Sequence, residues 1–367
     1  MEWPPQQRQA LADASDWIAR PNRQVFRLFG FAGTGKSTLA KYVGKKATKV
    51  VYGAFTGKAA MVMRRKGCAG ASTLHSMIYK MEEGADRTGG KPKFHLNPLS
   101  EVKDAGLVIV DEVSMVDAQL GMDLLSFGVP VLVLGDPFQL PPVKGSGYFT
   151  ANQPDVMLTE IHRQAAGNPI IQMATAIREG KPLDYGTYGT SRVISRSEVT
   201  SAEVMAADQV LVGRNKTRQT YNARIRELMG RKGAMPEEGD RVVCLKNDAG
   251  KRIFNGMTFS VIEAKFKPRG RIDMVLKPED AGSRVATVAV VTHELFFLDR
   301  QEEMTWGQRM DFNEFTYGYA LTCHKSQGSQ WDNVYLFDES AAFRRDGADR
   351  WLYTAVTRAA EQITVVR

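Results

Sequence analysis

Three cysteines in 367 residues, Cys68, Cys244 and Cys323, are too few, too far apart and of the wrong parity to frame disulfides or to ligate zinc. The chain also lacks an apolar run long enough to cross a bilayer, an internal repeat and a low-complexity tract. Its first residues, MEWPPQQRQ, lack the pattern of a secretory signal. Acid is in short supply as well: 41 Asp and Glu stand against 49 Lys and Arg, a formal net charge of +8. These absences argue against a disulfide-stapled secreted domain, a zinc module and a membrane protein, and lead to the expectation of a globular protein in a reducing, cytoplasmic setting. The positive balance suits an acidic partner such as nucleic acid, although charge of that size serves solubility equally well.

With 43% hydrophobic and 25% charged residues the chain can bury a sizeable interior, and at its length two domains and a small third are expected. Predominantly apolar runs at Val25 to Phe29, Leu107 to Val110, Val131 to Leu134, Val210 to Val212, Val334 to Phe337 and Ile363 to Val366 predict strands of parallel sheets buried on both faces. Helix-like segments such as Ser37 to Val43 and Ala118 to Ser126 alternate with them, which predicts two α/β domains. Two stretches interrupt this pattern. From Pro236 to Asp299 the texture turns β-rich, with short runs separated by Asn255-Gly256, Arg269-Gly270 and Asp280 to Gly282, as in a small antiparallel barrel. Between Ile78 and Asp104 a turn-rich Gly84 to Gly90, flanked by Met77 to Glu82 and Lys91 to Leu96, predicts a projecting hairpin.

Gly30-Phe31-Ala32-Gly33-Thr34-Gly35-Lys36-Ser37-Thr38 fits a phosphate-binding loop, placed after an apolar strand and before a helix. Backbone N–H groups of such a loop surround phosphate oxygens, the helix amino terminus adds partial positive charge, Lys36 reaches the terminal phosphates and Ser37 ligates magnesium. Asp111-Glu112 emerges at the carboxyl end of another apolar run, the edge where open α/β sheets bind ligands. Asp111 would hold magnesium and Glu112 would orient and deprotonate the attacking water, although two acids also suit a helix start. A third run ends in Gly135-Asp136-Pro137-Phe138-Gln139-Leu140-Pro141-Pro142, where the Gln139 amide can report a γ-phosphate. Arg163 and Arg358 bracket the second α/β region; brought across a cleft, two guanidiniums stabilise a transferring phosphoryl group, and taken singly each is equally an ordinary surface ion pair.

In this order the segments resemble the motif series of superfamily 1 helicases, most closely the 5′-to-3′ superfamily 1B group of RecD-like and Dda-like enzymes. Pro5-Gln6-Gln7 resembles the Q motif with Gln7 at the adenine, and Ala54 to Ala60 and Ser72-Thr73-Leu74-His75 resemble motif Ia and the element after it. Thr322-Cys323-His324-Lys325-Ser326-Gln327-Gly328 is similar to motif V, which few other ATPases share. The resemblance implies two RecA-like P-loop domains, at 1–153 and at 154–235 with 300–367, a pin hairpin at about 78–104 and a small SH3-like β-barrel at 236–299. It implies ATP and Mg2+ as cofactors, with nucleotide contacts from Gln7, Gly33, Thr34, Gly35, Lys36, Ser37, Thr38, Gln327 and Gly328. It further implies single-stranded and forked DNA as partner. The strand would meet Thr56, Lys58, Thr73 and His75 on the first domain and Thr322, His324 and Lys325 on the second, mostly through phosphate and sugar, which repeat regardless of sequence. Phe94 and His95, with Tyr79, would offer a ring at the duplex junction. Because the Q-like segment begins almost at Met1, no preceding domain is expected.

Two functions fit these residues. One is an ATP-dependent helicase that moves 5′ to 3′ and separates duplex DNA. The other is a protein that binds and remodels single-stranded DNA under an ATP switch, without processive unwinding; it needs the ATPase residues and no wedge.

Overall fold

The computed structural model describes residues 3–81, 94–142, 145–160, 167–279, 286–343 and 345–367. Among the described residues, eight strands precede residue 160: β1 (Val25–Gly30), β2 (Val50–Ala54), β3 (Ser72–Thr73), β4 (Tyr79–Met81), β5 (Phe94–Leu96), β6 (Leu107–Asp111), β7 (Val131–Gly135) and β8 (Val156–Leu158). Six of them form a parallel sheet in the order β3-β2-β6-β7-β1-β8. Alternate residues of one strand enter different cores: Val108, Val110, Val131 and Val133 pack on one face, while Leu107, Ile109, Leu132 and Leu134 pack on the other. Burial on both faces is what makes these strands read as unbroken apolar runs. Each such side chain removed from water contributes on the order of 2 kcal/mol.

A second sheet is built from β9 (Gly186–Tyr188), β10 (Ser191–Ile194), β11 (Gln209–Val212), β17 (Ala320–Thr322), β18 (Trp331–Phe337) and β19 (Ala359–Val366), ordered β17-β11-β18-β19-β10-β9. It is parallel except where β9 turns back against β10. Its two faces likewise carry separate cores, one centred on Leu211, Leu336, Trp351 and Val365 and the other on Val210, Val212, Tyr335 and Phe337. We call the two sheets with their helices the first and second lobes.

The third sheet is antiparallel, β15-β14-β13-β12-β16, from β12 (Arg241–Cys244), β13 (Thr258–Phe266), β14 (Arg271–Pro278), β15 (Val288–His293) and β16 (Phe315–Tyr317). It has a core of its own around Phe259, Met274, Leu276 and Phe315. It does not end at residue 299: Cys244 pairs with Phe315, so a strand from the stretch expected in the second α/β domain completes it. Just Gly318 and Tyr319 separate β16 from β17, and the chain passes from one sheet directly into the other. The base of this sheet is tied to the second lobe through Asp240, which is fully buried. Asp240 accepts from the Arg226 guanidinium at 3.0 Å, from Tyr319 Oη at 2.8 Å and from the Glu237 backbone N–H at 2.8 Å. Arg226 lies on the helix Asn215–Leu228 of the second lobe.

In the stretch expected to form a hairpin, β4 and β5 pair antiparallel, Tyr79 opposite Leu96 and Lys80 opposite His95. The expected Gly84 to Gly90 turn lies outside the described residues, as does Arg163. No helix among the described residues is long and apolar enough to cross a membrane.

Candidate active site

The strand order sets the site. Because β6, β7 and β1 are neighbours in one parallel sheet, their carboxyl ends bring the Gly30–Lys36 loop, Asp111-Glu112 and the Asp136–Leu140 loop together. Gly33 and Gly35 have φ of 79° and 83°, left-handed values that favour glycine, and a Cβ on Gly30 would lie 2.6 Å from Thr34 Oγ1. The helix Lys36–Gly44 starts from this loop. Lys36 Nζ donates to Gly30 O at 2.6 Å and Phe31 O at 3.0 Å, holding the ammonium over the loop. Thr34 Oγ1 closes the turn by donating to Phe31 O, and Thr38 N–H donates to Gly35 O.

Ser37 Oγ donates to Asp111 Oδ2 at 3.0 Å, so the two oxygens expected to hold a metal are already adjacent. Glu112 takes a left-handed φ of 56°, a conformation costing roughly 1–2 kcal/mol for a residue with a Cβ, and its N–H donates to Asp111 Oδ1 at 2.8 Å. Desolvation, then the neighbouring Asp111 charge, raises the Glu112 pKa, against the pull of Arg358 and Lys36. A raised carboxyl is what a proton acceptor working near neutral pH needs. Asp136 is also raised by burial, despite Lys36, a hydrogen bond from Tyr353 and one from the Phe138 N–H. Gln139 is buried, and its Oε1 has no hydrogen-bond partner among the described residues.

These groups line a cavity of about 800 Å³ whose far wall comes from the second lobe, including Gly328, Thr357 and Arg358. Arg358 is 5% exposed, and its guanidinium donates to Thr354 O, Ser329 O and Thr357 Oγ1. Gly328 has φ of 75°, and a Cβ there would come within 2.7 Å of Thr56 Oγ1 on the first lobe. Gln327 Nε2 donates to Leu140 O at 3.0 Å, joining the Thr322–Gly328 segment to the Asp136–Leu140 loop. Gln7 is buried beside the phosphate loop and donates to Thr34 O at 2.8 Å. Lys58, expected on a DNA-facing surface, is buried in the wall of this cavity with its ammonium 4.8 Å from the Trp331 ring.

The other residues expected at DNA are not among those lining this cavity. Thr56 and Thr73 cap the helices Gly57–Arg65 and Leu74–Ile78, accepting from Ala59 N–H and Ser76 N–H. His75 is exposed between the Phe55 and Tyr79 rings, 6.0 and 5.9 Å away. Phe94 and His95 are exposed on β5. Across the molecule Thr322 is buried at the end of β17 and accepts from Lys325 N–H, while burial lowers the pKa of half-buried His324. A second cavity, about 770 Å³, opens between Thr73, Ser76, Arg64 and Arg65 of the first lobe and Arg252 and Phe254 of the loop joining β12 to β13.

Two residues that no motif singled out also reach the phosphate loop. The Arg178 guanidinium, at the end of the helix Pro169–Arg178, lies 3.7 Å from the Phe31 ring centre. Tyr353 accepts from the Ala32 N–H at 3.0 Å and donates to Asp136 Oδ2 at 2.5 Å. The one signal for either was the place of Tyr353 within the helix that leads to Arg358.

Residues 4–198 match the AAA domain family, and residues 317–366 match the UvrD-like helicase C-terminal domain. The chain is 31% identical to the ATP-dependent RecD2 DNA helicase of Deinococcus radiodurans over 91% of its own length and 46% of that protein. It is 26% identical to the ATP-dependent DNA helicase Pif1 of Bdellovibrio bacteriovorus, covering 91% of this chain and 82% of that one. The chain thus spans about half the length of the Deinococcus relative. Its fold is similar to that of a Bacteroides Pif1 helicase in complex with ADP-AlF3 and ssDNA, with a TM-score of 0.60 and 20% identity over 100% of this chain and 92% of that chain.

Proposed function

Because the chain belongs to the RecD- and Pif1-like helicases of superfamily 1B, we propose that it hydrolyses ATP in the 800 Å³ cavity and uses the cycle to move 5′ to 3′ along single-stranded DNA, separating duplex ahead of it. The observation that carries this reading is the composition of that cavity: Lys36, Ser37, Asp111, Glu112 and Gln139 from the first lobe face Gly328 and Arg358 from the second. A phosphate bound by both walls favours the lobes together, and its loss releases them, the hinge motion a stepping motor requires.

The residues fit nucleotide and magnesium. The glycine cradle admits phosphate, and the paired Ser37 and Asp111 oxygens are the hard donors Mg2+ prefers. Bound there, the ion would neutralise charge on the phosphates. Glu112 accepts the proton of the attacking water, Gln139 offers an unpartnered amide oxygen to orient it, and Lys36 and Arg358, with Arg163, stabilise the transferring phosphoryl group. The DNA path runs from Thr322, His324 and Lys325 to Thr56, Thr73 and His75, with Lys58 acting from the cavity side. The third sheet serves as the SH3-like element over that path, its boundary extended to include Phe315–Tyr317, and the β4–β5 hairpin is the pin.

Duplexes with a single-stranded tail on one side or the other test the proposal. ATP-dependent strand separation is expected from the 5′ tail and not the 3′ tail, with ATP hydrolysis stimulated by single-stranded DNA and abolished by Lys36→Ala. Unwinding from the 3′ tail alone overturns the polarity. Stimulated hydrolysis without unwinding on either substrate favours the ATP-switched remodelling protein instead.

A further inference from the structure

A buried hydroxyl fastens the phosphate loop of the first lobe to the second lobe. Tyr353 is 1% exposed and its ring is fixed by an edge-on contact with Phe138, centroids 5.1 Å apart. Its oxygen accepts from the Ala32 N–H and its proton goes to Asp136, so one atom joins the phosphate loop, the Asp136–Leu140 loop and the helix Arg345–Val356 that leads to Arg358. The neighbouring residue reinforces the joint, because Thr354 Oγ1 accepts from the Leu140 N–H at 3.0 Å. A backbone N–H in a phosphate loop is a donor that phosphate oxygens take. Here the donor at Ala32 is already engaged across the interface.

We propose that Tyr353 is a positioning residue through which occupation of the phosphate loop is passed to Gln139 and Arg358: phosphate displaces the tyrosine hydroxyl from Ala32. The inference rests on ATP binding in this cleft. Its physical basis is a hydrogen-bond chain, N–H to hydroxyl to carboxylate, in which each bond strengthens the next. Removing the first link weakens the second, freeing Asp136 and the loop that carries Gln139 while loosening the helix that carries Arg358. The Arg178 guanidinium on Phe31 is the fixed contact about which Ala32 can shift.

Tyr353→Phe keeps the ring and its packing and deletes the hydroxyl alone. In the full-length protein without added nucleotide, hydrogen exchange measured on peptides covering Phe31 to Gly33 is expected to rise roughly three- to tenfold, the worth of one hydrogen bond. With saturating ADP and magnesium the difference should disappear. The ratio of DNA-stimulated to basal ATP hydrolysis is expected to fall severalfold, with a smaller change in KM for ATP. Unchanged exchange at Phe31 to Gly33 overturns the latch, as does an unchanged stimulation ratio in an active parent. A parent with no stimulated hydrolysis defeats the ATPase reading instead, and the exchange comparison still decides whether Tyr353 holds Ala32. Should Tyr353→Phe not fold, Asp136→Asn, which keeps an acceptor oxygen but removes its charge, is expected to raise the same exchange by a smaller factor; no rise overturns the proposal.

Discussion

The Lys325 side chain reaches solvent, yet the protein around its ammonium strips away much of its water, and Arg218 adds repulsion against the weaker attraction of Asp299. Its pKa is brought down to about 8. If Lys325 holds a DNA phosphate as proposed, that contact is charged below pH 8 and lost as pH rises through it. Affinity for single-stranded DNA, measured by fluorescence anisotropy, is therefore expected to fall between pH 7 and pH 9, and the salt dependence to shrink by about one phosphate contact, a slope change of ~0.7. Lys325→Arg should abolish the pH dependence and keep the affinity, whereas Lys325→Ala should abolish the pH dependence and lower the affinity by that one contact. An unchanged pH profile in these variants removes Lys325 from the contact. Glu112 illustrates the opposite sign: its raised pKa leaves more of it protonated at a given pH, so the proton-accepting form grows as pH rises.

At the scale of elements, the third sheet depends on one carboxylate. Fully buried Asp240 gathers the buried Arg226 guanidinium, half-buried Tyr319 and the backbone N–H of exposed Glu237. Asp240→Ala leaves the Arg226 charge buried without its closest counter-charge, a loss expected to cost about 3–5 kcal/mol. Urea unfolding monitored by tryptophan fluorescence checks this, and a loss below about 1 kcal/mol would refute the tie. The elements also differ in how legible they were. Leu107 to Val110 and Val131 to Leu134 stood out because both faces of those strands are buried, and a continuous apolar run has no other cheap explanation. Ser72–Thr73 and Ser191–Ile194 pass as polar or mixed stretches, since their pairing is set by neighbouring strands rather than by their own pattern. The phosphate loop, Asp111 and Glu112 were readable because their chemistry requires fixed spacing. Tyr353 and Arg178 were not, because their role exists only once two lobes distant in sequence meet. Lys58 shows the reverse: its segment was readable, but the turn of its helix that carries it into the wall of the cavity between the lobes was not.

Across the whole molecule, the sites proposed for hydrolysis and for strand separation occupy different places. The proposed ATP cleft lies between the lobes, whereas Phe94, 59% exposed, stands on β5, which pairs with β4 in the first lobe. Exchanging both Phe94 and His95 for alanine is therefore expected to reduce unwinding of a tailed duplex by at least about tenfold, the loss of one stacking contact. Translocation on single-stranded DNA, followed by displacement of streptavidin from a biotinylated end, should persist. Equal loss of both activities would make these residues structural.

The passage of the chain from β16 through Gly318 and Tyr319 into β17 bears on how far the molecule can be shortened. Joining residue 235 to residue 300 removes β12, the strand against which Phe315–Tyr317 pairs. The remnant would present Phe-Thr-Tyr as an open edge with unmet backbone donors and acceptors, ready to adhere to another copy. The insert is thus not a cassette that can be lifted out at those bounds, because its last strand is laid down immediately before the return to the second lobe.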